Sequence, residues 1–101
     1  MPLRMTALLF GEARDLAGTR SVAIELPEGK GTLPAFLLAL HDATGKKLAG
    51  KVIVASAAGG FAVAPGYKIM INKRIVSPQE AEDHVLKDSD EVGVLPPFSG
   101  G

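Results

Sequence analysis

Apolar and polar residues alternate from Met5 to Phe10 with a period of two, the signature of a β-strand. Met5, Ala7 and Leu9 share one face; Leu8 and Phe10 share the other. Both faces are apolar, so this strand needs cover on both sides. Gly11–Gly18 reads as a connecting turn, with Arg14 and Asp15 solvated. Ser21–Leu26 alternates cleanly, with Val22, Ile24 and Leu26 inward and Ser21, Ala23 and Glu25 outward, and pairs with the first strand as a hairpin. Pro27–Gly31 breaks it.

The period then changes. Leu33, Phe36, Leu37 and Leu40 fall at i, i+3, i+4 and i+7, which is one stripe of a helix. Thr32 can cap that helix, Pro34 sits in its first turn where a missing donor costs nothing, and Gly45 stops it after about Thr44. The stripe is expected to pack on a sheet, and His41 to lie at the surface near the helix end. Residues 46–66 are less regular: Lys51–Ser56 and Phe61–Val63 are read as a hairpin insertion turning at Gly59-Gly60.

Alternation returns at Tyr67–Asn72, with Ile69 and Ile71 inward and Lys68 and Met70 outward. Asn72-Lys73-Arg74 turns the chain into Ile75-Val76. Ser77-Pro78-Gln79-Glu80 is a capping-box pattern with proline at the first helical position, so a short helix runs to about His84. An acidic turn leads to a last strand with Val92 and Val94 inward and Gly93 and Leu95 outward. The order predicts an α+β chain, a mixed sheet with one main helix packed on one face. If the last strand lies beside the first, both in the sheet centre, their pairing would be parallel, which the sequence permits.

Composition narrows the chemistry. The 101 residues are read as one domain, 1–101, with a tail from about residue 96. Eleven basic and 11 acidic residues balance, which gives no electrostatic case for nucleic acid. There is no cysteine, hence no thiolate nucleophile, and two histidines without cysteine argue against a zinc site. Val52–Tyr67, the longest uncharged run, is too short to span a bilayer, and the short apolar run at Met1–Phe10 meets charges at once. No membrane role and a cytoplasmic location are expected. Glu28-Gly29-Lys30-Gly31-Thr32 is not a phosphate loop, because Ile24 stands where the first glycine belongs and Gly31 separates Lys30 from Thr32.

The candidate working group is at the far end. Pro96 and Pro97 fix φ and donate no amide, so they end the strand and keep the tail off the sheet. Phe98, Ser99, Gly100 and Gly101 could extend about 13–14 Å, enough to thread a cleft. Glycine has no Cβ to jam a narrow channel. An α-carboxylate on Gly101, with a reference pKa of about 3.3–3.7, is an anion that needs activation before acyl chemistry. With 12 glycines, a Gly-Gly end arises by chance in about one such chain in seventy, so a plain frayed terminus stays open.

Asp88-Ser89-Asp90-Glu91-Val92 followed by Leu95-Pro96-Pro97-Phe98-Ser99-Gly100-Gly101 resembles the C-terminal signature of the molybdopterin synthase small-subunit family, one of the ubiquitin-like sulfur carriers. That family usually has glycine where Ser89 stands. Leu9-Phe10-Gly11-Glu12-Ala13-Arg14-Asp15-Leu16-Ala17-Gly18 resembles its first strand and turn, and Ile69-Met70-Ile71-Asn72 its inner strand. The resemblance implies a ubiquitin-like β-grasp roll. It implies that Gly101, preceded by Gly100, is adenylated and then thiocarboxylated, and gives sulfur to a precursor pterin to build the molybdopterin dithiolene. It implies docking on the large subunit through Phe10, Ile75 and Leu95; parity adds Met70 and Leu8 to that face. An apolar surface of this kind on a small domain marks a partner site, unless residues 46–66 cover it.

The partners implied are that large subunit and an adenylating enzyme resembling the ubiquitin activators, which uses ATP-Mg. This chain binds no cofactor or metal itself. Catalytic side chains come mostly from the large subunit, in an assembly of two small and two large subunits. Carriers for thiazole or cysteine synthesis, a protein modifier joining Gly101 to lysines, and an interaction domain with an inert tail are the alternatives.

Overall fold

The computed structural model describes residues 1–57 and 59–97. The elements are β1 (Leu3–Leu9), α1 (Gly11–Ala17), β2 (Ser21–Leu26), α2 (Leu33–Ala43), β3 (Ile53–Ala55), β4 (Phe61–Val63), β5 (Lys68–Ile71), β6 (Arg74–Val76), α3 (Pro78–Asp83) and β7 (Glu91–Leu95). Five strands form one sheet in the order β2-β1-β7-β5-β6, and β3 and β4 form a separate hairpin. β1 and β7 are parallel in the sheet centre, with Ala7 opposite Val92 and Leu9 opposite Val94. The other sheet pairings are antiparallel.

Alternation decides what the sheet buries. Met5, Ala7, Leu9, Ile24, Leu26, Ile69, Ile71, Val92 and Val94 all point into one core. α2 lies over them with Leu33, Phe36, Leu37 and Leu40 buried, as its stripe requires. Truncating a fully buried aromatic such as Phe36 to alanine costs about 3–5 kcal/mol. Thr32 caps α2 by accepting the N–H of Ala35 at 3.2 Å, and Ser77 caps α3 by accepting that of Glu80 at 3.2 Å.

Residues 46–66 do form the expected hairpin, with Ile53 opposite Val63 and Ala55 opposite Phe61. The hairpin packs on α2, and Leu48, Val52 and Ile53 enlarge the helix-side core. It therefore leaves the other sheet face open. His41 is corrected by the same packing. Instead of a free surface position it is half-buried, its ring stacked on Phe61 with centroids 4.9 Å apart.

Gly11–Gly18 is not a simple turn but the short helix α1, closed by Gly18 in the left-handed region with its N–H on the carbonyl of Arg14. Ala13, Leu16 and Ala17 face the core at i, i+3 and i+4. A seven-residue helix starting at glycine, with no side-chain cap, carries little local signal. Arg14 and Asp15 are exposed, as expected.

Gly31 has a packing role. A Cβ there would overlap the carbonyl oxygen of Leu86, whose N–H donates to the carbonyl of Gly31 at 2.8 Å.

Candidate functional site

Strand register makes neighbours of the outward-facing residues. Leu8 lies opposite Gly93, Gly93 opposite Met70, and Met70 opposite Ile75. One row runs across β1, β7, β5 and β6, and its side chains are Leu8, Met70 and Ile75. Phe10, in extended backbone at the end of β1, continues the alternation onto the same face. Gly93 leaves a gap in the row that its neighbours fill. A Cβ on it would stand 3.1 Å from Cε of Met70 and 3.2 Å from Cε2 of Phe10. Leu95 extends the patch along β7, opposite Lys68.

The five residues thus form one continuous apolar surface. Leu8, Met70 and Leu95 are half-buried, while Phe10 is 37% and Ile75 58% exposed. The other end of the same face is polar. There Thr6 lies opposite Glu91 and Arg4 opposite Glu25, along an open groove of about 620 Å³ that also reaches Asn72 and Ser89. The apolar end is the end from which the chain leaves β7.

Pro96 and Pro97 come directly after β7. Pro96 is half-buried and packs on Gly11, where a Cβ would come within 2.8 Å of its Cγ. Pro97 is exposed and packs on Gly66, where a Cβ would come within 3.0 Å of its Cβ. The residues next to those two glycines meet as well. The Tyr67 hydroxyl donates to Oε1 of Glu12 at 3.0 Å. Burial, the bond to the Glu12 carboxylate and the charge of that carboxylate together push the Tyr67 phenol up to about 12.

Gly11, Glu12, Gly66 and Tyr67 had no place among the sequence-derived candidates. Nothing along the chain joins residue 66 to residue 97. Phe98, Ser99, Gly100 and Gly101 lie outside the described residues. Among the described residues, no cluster of three or more histidine, aspartate or glutamate side chains is placed to hold a metal ion. No described helix is long and apolar enough to cross a membrane.

The start of β7 is held by side chains. The Asn72 amide donates to Oδ1 of Asp90 at 2.9 Å and its carbonyl accepts the Glu91 N–H at 2.9 Å. Asp90 Oδ2 accepts the Lys87 N–H at 2.8 Å, and Asp88 Oδ1 accepts the Arg4 N–H at 2.8 Å. The acidic turn singled out by resemblance thus fastens β7 to both of its neighbours.

The sequence profile of the ThiS family matches residues 7–101. The chain belongs to the ThiS family. It is 34% identical over 101 residues to a protein of Chlamydomonas reinhardtii named molybdopterin synthase sulfur carrier subunit, a match spanning 98% of this chain and 100% of that one. Among solved structures it resembles small archaeal modifier protein 1 from Methanosarcina acetivorans, at 27% identity and a TM-score of 0.74 over 100% of this chain and 99% of the other. The Haloferax volcanii protein of the same name matches at 26% identity and a TM-score of 0.75, over 97% and 99%. These neighbours share the ubiquitin-like mixed sheet around a packed helix. This ThiS-family chain is thus a homologue of sulfur carriers, with an open apolar patch beside a double-proline stem.

Proposed function

We propose that this ThiS-family chain is the sulfur carrier subunit of a molybdopterin synthase, with the Gly101 α-carboxylate as the group that carries sulfur. The observation that carries this reading is the adjacency of patch and stem. Leu8, Phe10, Met70, Ile75 and Leu95 form an apolar surface, and Pro96 and Pro97, which precede the Gly-Gly end in the sequence, stand at its edge. The similarity to the Chlamydomonas protein supports the choice of pathway.

In this reading an adenylating enzyme uses ATP-Mg to join AMP to the Gly101 carboxylate, releasing pyrophosphate. A persulfide donor displaces AMP through its outer sulfur, and a thiol then cleaves the resulting acyl disulfide, leaving the thiocarboxylate on Gly101 and a disulfide on the donor side. The apolar patch then seats the chain on the large subunit, and the tail reaches a precursor pterin held there. Docking supplies proximity, and the thiocarboxylate sulfur is the nucleophile. Side chains for proton transfer come from the large subunit.

Intact-mass measurement after incubation with ATP-Mg, activating enzyme and sulfur donor tests this. One oxygen exchanged for sulfur at Gly101, then lost to precursor pterin in the presence of the large subunit, is expected. An unchanged mass would remove the carrier reading. The likeness to archaeal modifier proteins favours one second reading, attachment of Gly101 to lysines of other proteins. Adducts of this chain on lysine in its own cells would identify it.

A further inference from the structure

The base of the tail is held by two segments that are themselves tied together. Gly11, at the start of α1, receives Pro96; Gly66, in the turn before β5, receives Pro97. Both glycines have positive φ, +55° and +88°, so each position excludes a side chain by backbone conformation as well as by space. Their next neighbours, Glu12 and Tyr67, are joined by the hydrogen bond between the two segments. Tyr67 is only 5% exposed, which holds its ring in place.

We propose that Gly11, Glu12, Gly66 and Tyr67 form a collar that sets the direction in which the tail leaves the domain, with the Tyr67–Glu12 hydrogen bond as its clasp. They are positioning residues: none carries sulfur, and none belongs to the apolar patch. The physical reason is leverage. Proline fixes φ, and Pro97 restricts ψ of Pro96, but neither sets where the pair points relative to the sheet, so two prolines alone do not aim a tail. Packing each ring against a backbone with no Cβ removes that freedom. A carboxylate at the end of a four-residue arm reaches another protein's active site productively only from a defined origin and heading, and misplacement by about 1 Å can cost up to about a hundredfold in rate.

The inference rests on the reading of the tail as the working end, so its test has a readout that does not need the tail to react. In the full chain, the Cα–Hα residual dipolar coupling of Pro97, referred to those of β1 and β7, reports the heading of the stem. Tyr67→Phe and Gly11→Ala are expected to change that coupling and to lower kcat for sulfur transfer on the large subunit about tenfold with little change in affinity for that subunit, because the docking patch is untouched. Glu12→Gln keeps an accepting oxygen and is expected to behave as the parent does. Pro96→Ala removes the ring that packs on Gly11, and is expected to change the Pro97 coupling as well. Gly18→Ala is the control for backbone strain, since Gly18 has φ +76° and a Cβ there meets nothing within 4 Å.

An unchanged Pro97 coupling in Tyr67→Phe and Gly11→Ala, with core couplings intact, overturns the collar. So does an equal loss of kcat in Gly18→Ala. If the parent chain is never activated, the carrier reading falls and the Pro97 couplings alone decide the collar.

Discussion

Asn72 and Asp90 are joined across 2.9 Å by a side-chain hydrogen bond that locks the β5–β6 turn to the start of β7. Asn72 has φ +49°, a conformation asparagine tolerates better than most residues, and its carbonyl accepts the Glu91 N–H. Asp90 is 9% exposed and also accepts the Lys87 N–H. Asp90→Ala leaves Lys87 N–H and the Asn72 amide without this partner. The expected cost is about 2–3 kcal/mol, read as a lower midpoint with unchanged slope in denaturant unfolding. Asp90→Asn, which keeps an acceptor, is expected to cost less.

Ser89 stands where the resembling family usually has glycine, and its φ is +72°. A left-handed backbone costs a residue with a Cβ about 1–2 kcal/mol, partly offset by the greater unfolded-state freedom of glycine. The Ser89 N–H donates to the Arg4 carbonyl at 2.7 Å, a bond that glycine retains. Ser89→Gly is therefore expected to stabilise the chain by about 0.5–1 kcal/mol. Thermal unfolding should show a rise of several degrees.

Tyr67 is the one tyrosine in the sequence, so a spectroscopic phenol titration reads it alone. Its midpoint is expected near 12, against about 10 for an exposed tyrosine. The folded chain holds this proton more tightly than the unfolded chain does. The resulting stability is fully present below pH 10 and is lost as pH rises toward 12. Tyr67→Phe should flatten that part of the stability profile and cost about 1 kcal/mol at neutral pH. A midpoint at the ordinary value would mean that burial and Glu12 do not act on the phenol as the structure indicates.

Ile75, 58% exposed on β6, contributes little to the core. Ile75→Glu is expected to change folding stability by less than about 0.5 kcal/mol. It should weaken binding to the large subunit by about 2 kcal/mol or more, roughly thirtyfold, if Ile75 is an anchor of the docking patch. Calorimetric titration of the two purified subunits measures this. Unchanged affinity would place the interface elsewhere.

Several of these sites were legible along the chain. The inward and outward parity of Met5–Phe10, Tyr67–Asn72 and the last strand already put Phe10, Leu8, Met70 and Leu95 on one face, because a period of two leaves no other choice. The caps at Thr32 and Ser77 were legible for a related reason: a cap joins residues three apart. α1 was not. Ala13, Leu16 and Ala17 make too short a stripe, and the start of the helix is held by packing on the core instead of by a side-chain cap. His41 was misplaced because its neighbour, Phe61, comes from a hairpin whose docking on α2 has no local signature.

The sequence by itself determined the strands, the main helix, the open apolar parity and the glycine-ended tail, since each depends on residues a few positions apart. Only the tertiary structure decided where the stem of that tail sits. Gly11 with Pro96, Gly66 with Pro97 and Glu12 with Tyr67 are contacts between residues distant along the chain, the last pair 55 apart. They exist because parallel pairing sets β7 beside β1 and antiparallel pairing sets β5 on its other side. The loops flanking those two strands then meet at the point where β7 ends. No periodicity encodes such a meeting, because it depends on which strands become neighbours.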